Sequence, residues 1–157
     1  MSNIKRILQV QRNRHMRDLN LAITGKSLNI EKVTIELKNS CPNLEKINLC
    51  NAHGIFTLKG IDALADCKNL QEVNFGYIIL SVYGRMYYYY RDDLPKLSNS
   101  LRRLFSSCQR LEKIDLSYNY NKLKSIDLEI LTLCKNLKYL NLMYANIETP
   151  NMFFEIF

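Results

Sequence analysis

"CPNLEKINL" runs from Cys41 to Leu49, and nearly the same string returns three more times. The copies are "CKNLQEVNF" (Cys67 to Phe75), "CQRLEKIDL" (Cys108 to Leu116) and "CKNLKYLNL" (Cys134 to Leu142). A weaker fifth copy, "NRHMRDLNL", starts at Asn13 with Asn in the Cys place. The shared pattern is C-x-x-L-x-x-[ILV]-[ND]-[LF]. Its leading Leu or Met falls at Met16, Leu44, Leu70, Leu111 and Leu137, giving spacings of 28, 26, 41 and 26 residues. Three of these lie in the range of ~20–29 residues expected of leucine-rich repeats. The long gap reads as one ordinary period plus an insertion.

Within each copy the last two apolar positions alternate, as at Ile47 and Leu49 or Leu140 and Leu142. Period two places both side chains on one face of a strand. A helical pattern follows each strand. Ile30, Val33 and Leu37 share a helix face, with Asn29 as the expected cap. Leu58, Ile61, Leu64 and Ala65 form the next face, with Thr57 as a candidate cap. Leu97, Leu101, Leu104 and Phe105 form the third, opened by Asp93 ahead of Pro95. Ile126, Ile130, Leu131 and Cys134 fit a short fourth helix. One strand–turn–helix unit cannot bury both of its apolar faces, whereas a parallel stack closes a continuous core. The expected fold is α/β: a leucine-rich-repeat solenoid, or horseshoe, of about five parallel strands on a concave face with helices on the convex face.

The 157 residues are expected to form a single domain, 1–157. Within it, 1–15 reads as a basic N-terminal cap helix, 76–93 as an insertion or hairpin loop, and 147–157 as a partial C-terminal repeat or cap. No apolar run approaches the ~18 residues of a membrane span, and no signal-peptide stretch opens the chain. The expected location is cytoplasmic, nuclear or both. Net charge is +7. Lys5, Arg6, Arg12, Arg14 and Arg17 crowd an acid-free start that could attract nucleic acid or an acidic protein. The rest of the chain mixes both signs, so a solvated cap is favoured and nucleic acid disfavoured.

Four of the five cysteines share one repeat phase and read as small buried apolar groups. They lack the paired spacing of zinc ligands. Cys50 breaks the phase and is expected to face the concave side as the most reactive thiol. His15 and His53 have no partner pattern, and Asp92-Asp93 reads as a helix start. No phosphate loop, metalloprotease motif or nucleophile elbow appears. The chain is therefore expected not to be an enzyme and to need no cofactor or metal.

The helix-ending Cys followed by L-x-x-[IL]-[DN]-L is similar to the cysteine-containing leucine-rich repeats of F-box proteins, which are of ribonuclease-inhibitor-like type. The resemblance covers residues from about 13 to 147. It implies a horseshoe that holds a substrate protein, while a separate F-box segment binds the Skp adaptor of a ubiquitin ligase. Only 12 residues precede the first copy, without an L-P-x-E-like opening. This chain alone is therefore expected not to dock the adaptor. The I-T-D run of such repeats survives only as "LKSID" and "LKGID".

Candidate partner-binding residues follow from the strand phase. Asn20, Asn48, Asn74, Asp115 and Asn141 form an amide and carboxylate row. Asp18, Lys46, Glu72, Lys113 and Tyr139 form a neighbouring row of alternating sign. Tyr77, Tyr118 and Tyr144 form a column beyond them, after Ile23 and Asn51. Tyrosine carries a rigid apolar ring with a polar tip, well suited to protein recognition. The amide row also fits hydrogen bonding between strands, and the rings also fit plain stacking. In the insertion, Tyr87, Tyr88, Tyr89 and Tyr90 suggest a hairpin flap over one end of the face. The expected partner is another protein on the concave face, bound by a monomer. The alternative is a free-standing scaffold unrelated to ubiquitin, with weak nucleic-acid binding through its basic start.

Overall fold

The computed structural model of the chain describes residues 15–23, 29–52, 57–77, 94–118, 123–124, 128–145 and 147–148, with backbone only at 94–98, 123–124 and 148. The basic start, the 78–93 insertion with Tyr88 and Tyr90, His53 and the 149–157 tail lie outside these residues. Five short strands form one parallel sheet in the order β1 (Asp18–Asn20), β2 (Lys46–Asn48), β3 (Glu72–Asn74), β4 (Lys113–Asp115) and β6 (Tyr139–Asn141). The register is that of the sequence repeat. Leu19, Ile47, Val73, Ile114 and Leu140 stand in one row, flanked by the two polar rows predicted above.

Helices α1 (Ile30–Ser40), α2 (Leu58–Leu64) and α3 (Leu94–Ser107) follow β1, β2 and β3. Each packs against the next, and the core between helices and sheet holds Ile30, Val33, Leu37, Ile61, Leu64, Leu104 and Phe105 against Ile47, Val73 and Ile114. The predicted apolar faces are therefore the buried ones, with Leu58 partly buried and Leu97 outside the described side chains. The other face of the sheet carries no helix among the described residues.

The C-x-x-L spacing has a direct backbone reason. The N–H groups of Leu44, Leu70, Leu111 and Leu137 donate to the carbonyls of Cys41, Cys67, Cys108 and Cys134. Each turn leads the chain from helix end into strand. The four cysteines at this corner are buried. The Cys108 thiol lies 3.4 Å from the carbonyl of Cys67 in the previous repeat, so it is also a weak donor between repeats.

One expectation is corrected and one is refined. Asn29 caps α1 as predicted, its Oδ1 accepting from the Lys32 N–H at 2.9 Å. Thr57, however, makes no side-chain cap bond. Its hydroxyl donates instead to the Glu31 carboxylate on α1, tying adjacent repeats together. The fourth helix is short, as expected: it is α-helical at Leu128 and Glu129 and tightens to a 3-10 turn over Ile130–Leu133, while Ile126 lies outside the described residues. Such i→i+3 bonding is frequent in the last turn of an α-helix. The sequence reading also missed a second parallel pair, β5 (Leu123–Lys124) with β7 (Ile147–Glu148). No helix of the described residues is long and apolar enough to cross a membrane.

Candidate protein-recognition surface

Alternation along β1 to β4 and β6 turns the central residue of each strand toward the helices and its two neighbours toward the open face. A shallow depression of about 270 Å³ lies there, lined by residues from all five strands. Of the predicted rows, it brings together Asp18, Asn20, Lys46, Asn48, Glu72, Asn74, Lys113, Asp115 and Tyr139.

The amide row works chiefly on its own backbone. Asn20, Asn48, Asn74, Asp115 and Asn141 each accept, through Oδ1, the N–H two residues ahead. This short side-chain turn ends each strand, a role suited to Asn and Asp. One bond crosses between strands: Asn141 Nδ2 donates to Asp115 Oδ2 at 3.1 Å. Asp115 also accepts the Ser117 hydroxyl at 2.6 Å. Gly76 sits beside this cluster, where an added Cβ would come within 3.0 Å of Ser117 Oγ and 3.2 Å of Asn74 Oδ1.

The charged row is internally matched. Glu72 lies between Lys46, at 2.9 Å, and Lys113, at 3.2 Å. The hydrogen bond from Lys46, joined by that from Lys113, holds the Glu72 carboxyl below its usual range. The same hydrogen bond raises Lys46. These pairs are partly exposed and screened, so they set charge placement more than stability. The depression carries three carboxylates, Asp18, Glu72 and Asp115, against two lysines already engaged by Glu72. The positive excess of the chain lies elsewhere than on this face.

Beyond the strand ends the tyrosine column is a physical stack. Tyr77 and Tyr118 have centroids 4.5 Å apart at 19°, and Tyr118 and Tyr144 are 4.8 Å apart at 33°. The Tyr118 hydroxyl reaches Met143 Sδ at 3.9 Å. All three tyrosines, with Ile23 and Asn51, have φ between 51° and 57°. Each of the first four of these residues donates its N–H to the next repeat: Ile23 to Cys50 O, Asn51 to Gly76 O, Tyr77 to Ser117 O and Tyr118 to Met143 O. The left-handed backbone thus extends the sheet ladder and aims the side chains outward. Tyr144 is 72% exposed and Tyr139 51%.

Cys50 is the most accessible of the five thiols, being only half-buried. Partial burial and then Asp115 push its pKa up, so it is reachable but not activated. Burial pushes Cys67 and Cys134 to about 11 and Cys108 to about 12. Among the described residues no three His, Cys, Asp or Glu side chains gather as metal ligands would.

No protein-family model and no curated protein matches the chain. A solved structure of an internalin from Listeria monocytogenes is similar at 15% identity and a TM-score of 0.46, over 86% of this chain. The chain spans 44% of that protein's length. The likeness adds nothing to the choice of partner, which rests on the side chains described above. Strand, corner and helix recur in register in this molecule, which is a repeat α/β fold of leucine-rich-repeat kind.

Proposed function

We propose that the chain recognises another protein, through the open sheet face and the tyrosine stack beside it. The observation that carries this reading is the stack. Three adjacent repeats present aromatic rings in a rigid row, at backbone angles where glycine would cost less. Such rings give large contact area at small entropy cost, as interface anchors do. The stack borders a face with prearranged polar groups and a slight acidic excess, which suits a protein surface better than a polyphosphate. On a horseshoe this face is the concave one, and Asn48, Asn74, Asp115, Asn141 and Tyr139 form its floor. Tyr88 and Tyr90 of the insertion are proposed to contact the same partner. Their place rests on sequence alone.

The finer reading is substrate recognition for an F-box-type ubiquitin ligase. It is supported by the Cys-x-x-Leu corner and its resemblance to that family's repeats. The test is affinity purification of the native chain beside a variant with Tyr77, Tyr118 and Tyr144 changed to Ala. A discrete protein that is lost from the variant, with the circular dichroism of the two chains alike, is the expected result. Equal recovery by both would refute the stack as the site. Under the ligase reading the captured protein should live longer in cells carrying the variant. An unchanged lifetime would leave docking without degradation.

A further inference from the structure

Between neighbouring repeats one set of backbone bonds recurs. The carbonyl just before a strand accepts two N–H groups of the next repeat: Glu45 and Lys46 on Arg17, Gln71 and Glu72 on Glu45, Lys138 and Tyr139 on Glu112. Two N–H groups after the strand then donate forward, as Leu21 to Asn48 O and Ile23 to Cys50 O, or Leu116 to Asn141 O and Tyr118 to Met143 O. The outer strands β1 and β6 hold the two unmatched halves of this set. On β6 they are the Lys138 carbonyl and the N–H groups of Leu142 and Tyr144. On β1 they are the N–H groups of Arg17 and Asp18 and the carbonyls of Asn20 and Ala22. None of these has such a partner among the described residues.

The side chains match in the same phase. Among the described residues the most exposed large apolar side chains are Ile23 (75%) in the β1 repeat and Tyr144 (72%) and Met143 (56%) in the β6 repeat. Ile23 and Tyr144 occupy equivalent positions, so a β1 strand laid beside β6 in the observed register puts Ile23 where the next ring of the stack would stand. Half-used sheet edges are templates for strand pairing. We propose that copies of this chain associate head to tail, β6 of one pairing in parallel with β1 of the next, with Asp18 opposite Tyr139 and Asn20 opposite Asn141. The contact is heterologous, so it builds an open or ring-shaped series rather than a two-fold dimer. The opposing cost is Arg17 brought beside Lys138, each already sharing a carboxylate, Glu45 and Glu112.

Sedimentation of the full chain at rising concentration tests this. The average mass should climb past twice the 18.5 kDa of one chain and should rise further with salt, which screens the Arg17–Lys138 pair. Asp18→Pro removes an outward N–H from the edge strand, where proline is tolerated. Tyr144→Asp blocks the other end. Each variant alone should stay a monomer, yet an equimolar mixture should give a discrete dimer, because each keeps one competent end. Ile23→Asn guards against misfolding: Asn accepts the left-handed backbone more readily, so melting temperature should hold or rise while association falls. A mass of one chain at all concentrations, a fall in mass with salt, or a mixture that stays monomeric would overturn the proposal.

Discussion

At the scale of single residues, the informative positions are the five with left-handed backbone. For a side chain bearing a Cβ, this conformation costs about 1–2 kcal/mol. An aromatic pair returns roughly 0.5–1.5 kcal/mol. Ile23 has no ring partner and is 75% exposed, so it carries the cost with little return. Ile23→Gly should therefore raise stability by about 1 kcal/mol in urea denaturation. Tyr118 stands between two rings, and Tyr118→Ala should lower stability by about 1–2 kcal/mol through loss of both contacts. The sequence located this column but not its backbone. Only Asn51 among the five is a residue type that signals the left-handed region. Ile23, Tyr77 and Tyr118 take it because the ladder bond to the next repeat over-determines them.

The thiols give a pH prediction. Cys67 and Cys134 are raised to about 11 and Cys108 to about 12 by burial. Unfolded thiols ionise near 8.5, so above that pH the unfolded chain holds fewer protons than the folded one. Stability is then fully present below about pH 8.5 and is lost as pH rises through the folded values, by on the order of a few kcal/mol. Urea melts from pH 7 to 11 should show this fall. A variant with the three cysteines changed to Ala should show a shallower slope over the same range, whatever its starting stability. An unchanged slope would mean that other groups cause the loss.

At the scale of elements, the repeat string carried the register because the four Cys-headed copies mark the same three corners. Cys closes the turn, Leu opens the strand, and Asn or Asp ends it. Burial then follows from alternation, and the helix faces follow from their spacing. Three features were not legible. Thr57 carries a capping residue type, yet its hydroxyl is drawn to Glu31 of the neighbouring helix. The stretch before Cys134 has helical spacing, yet it ends in a 3-10 turn that spacing does not reveal. Strands β5 and β7 are two residues each, below the length at which alternation can be recognised. Asn29→Ala should cost about 1 kcal/mol, the usual value of a lost helix cap. Thr57→Ala should instead show its effect as coupling to Glu31→Ala in a double-mutant cycle. Additive effects of those two changes would deny the tie.

At the scale of the molecule, helices cover one face of a parallel sheet, and among the described residues the other face carries none. The polar rows on that open face were legible from phase alone. What the sequence could not give is how far they serve themselves. The amide row ends its own strands, and Glu72 holds its own two lysines. In the proposed mode of recognition the rings carry the binding energy and the floor supplies complementarity. The most direct measurement is photocrosslinking in cells from a reactive aromatic residue placed at Tyr144, beside the same probe at Glu36 on the exposed side of α1. A discrete crosslinked protein from position 144, with none from position 36, is the predicted result. The same adducts from both positions, or adducts from position 36 alone, would contradict it.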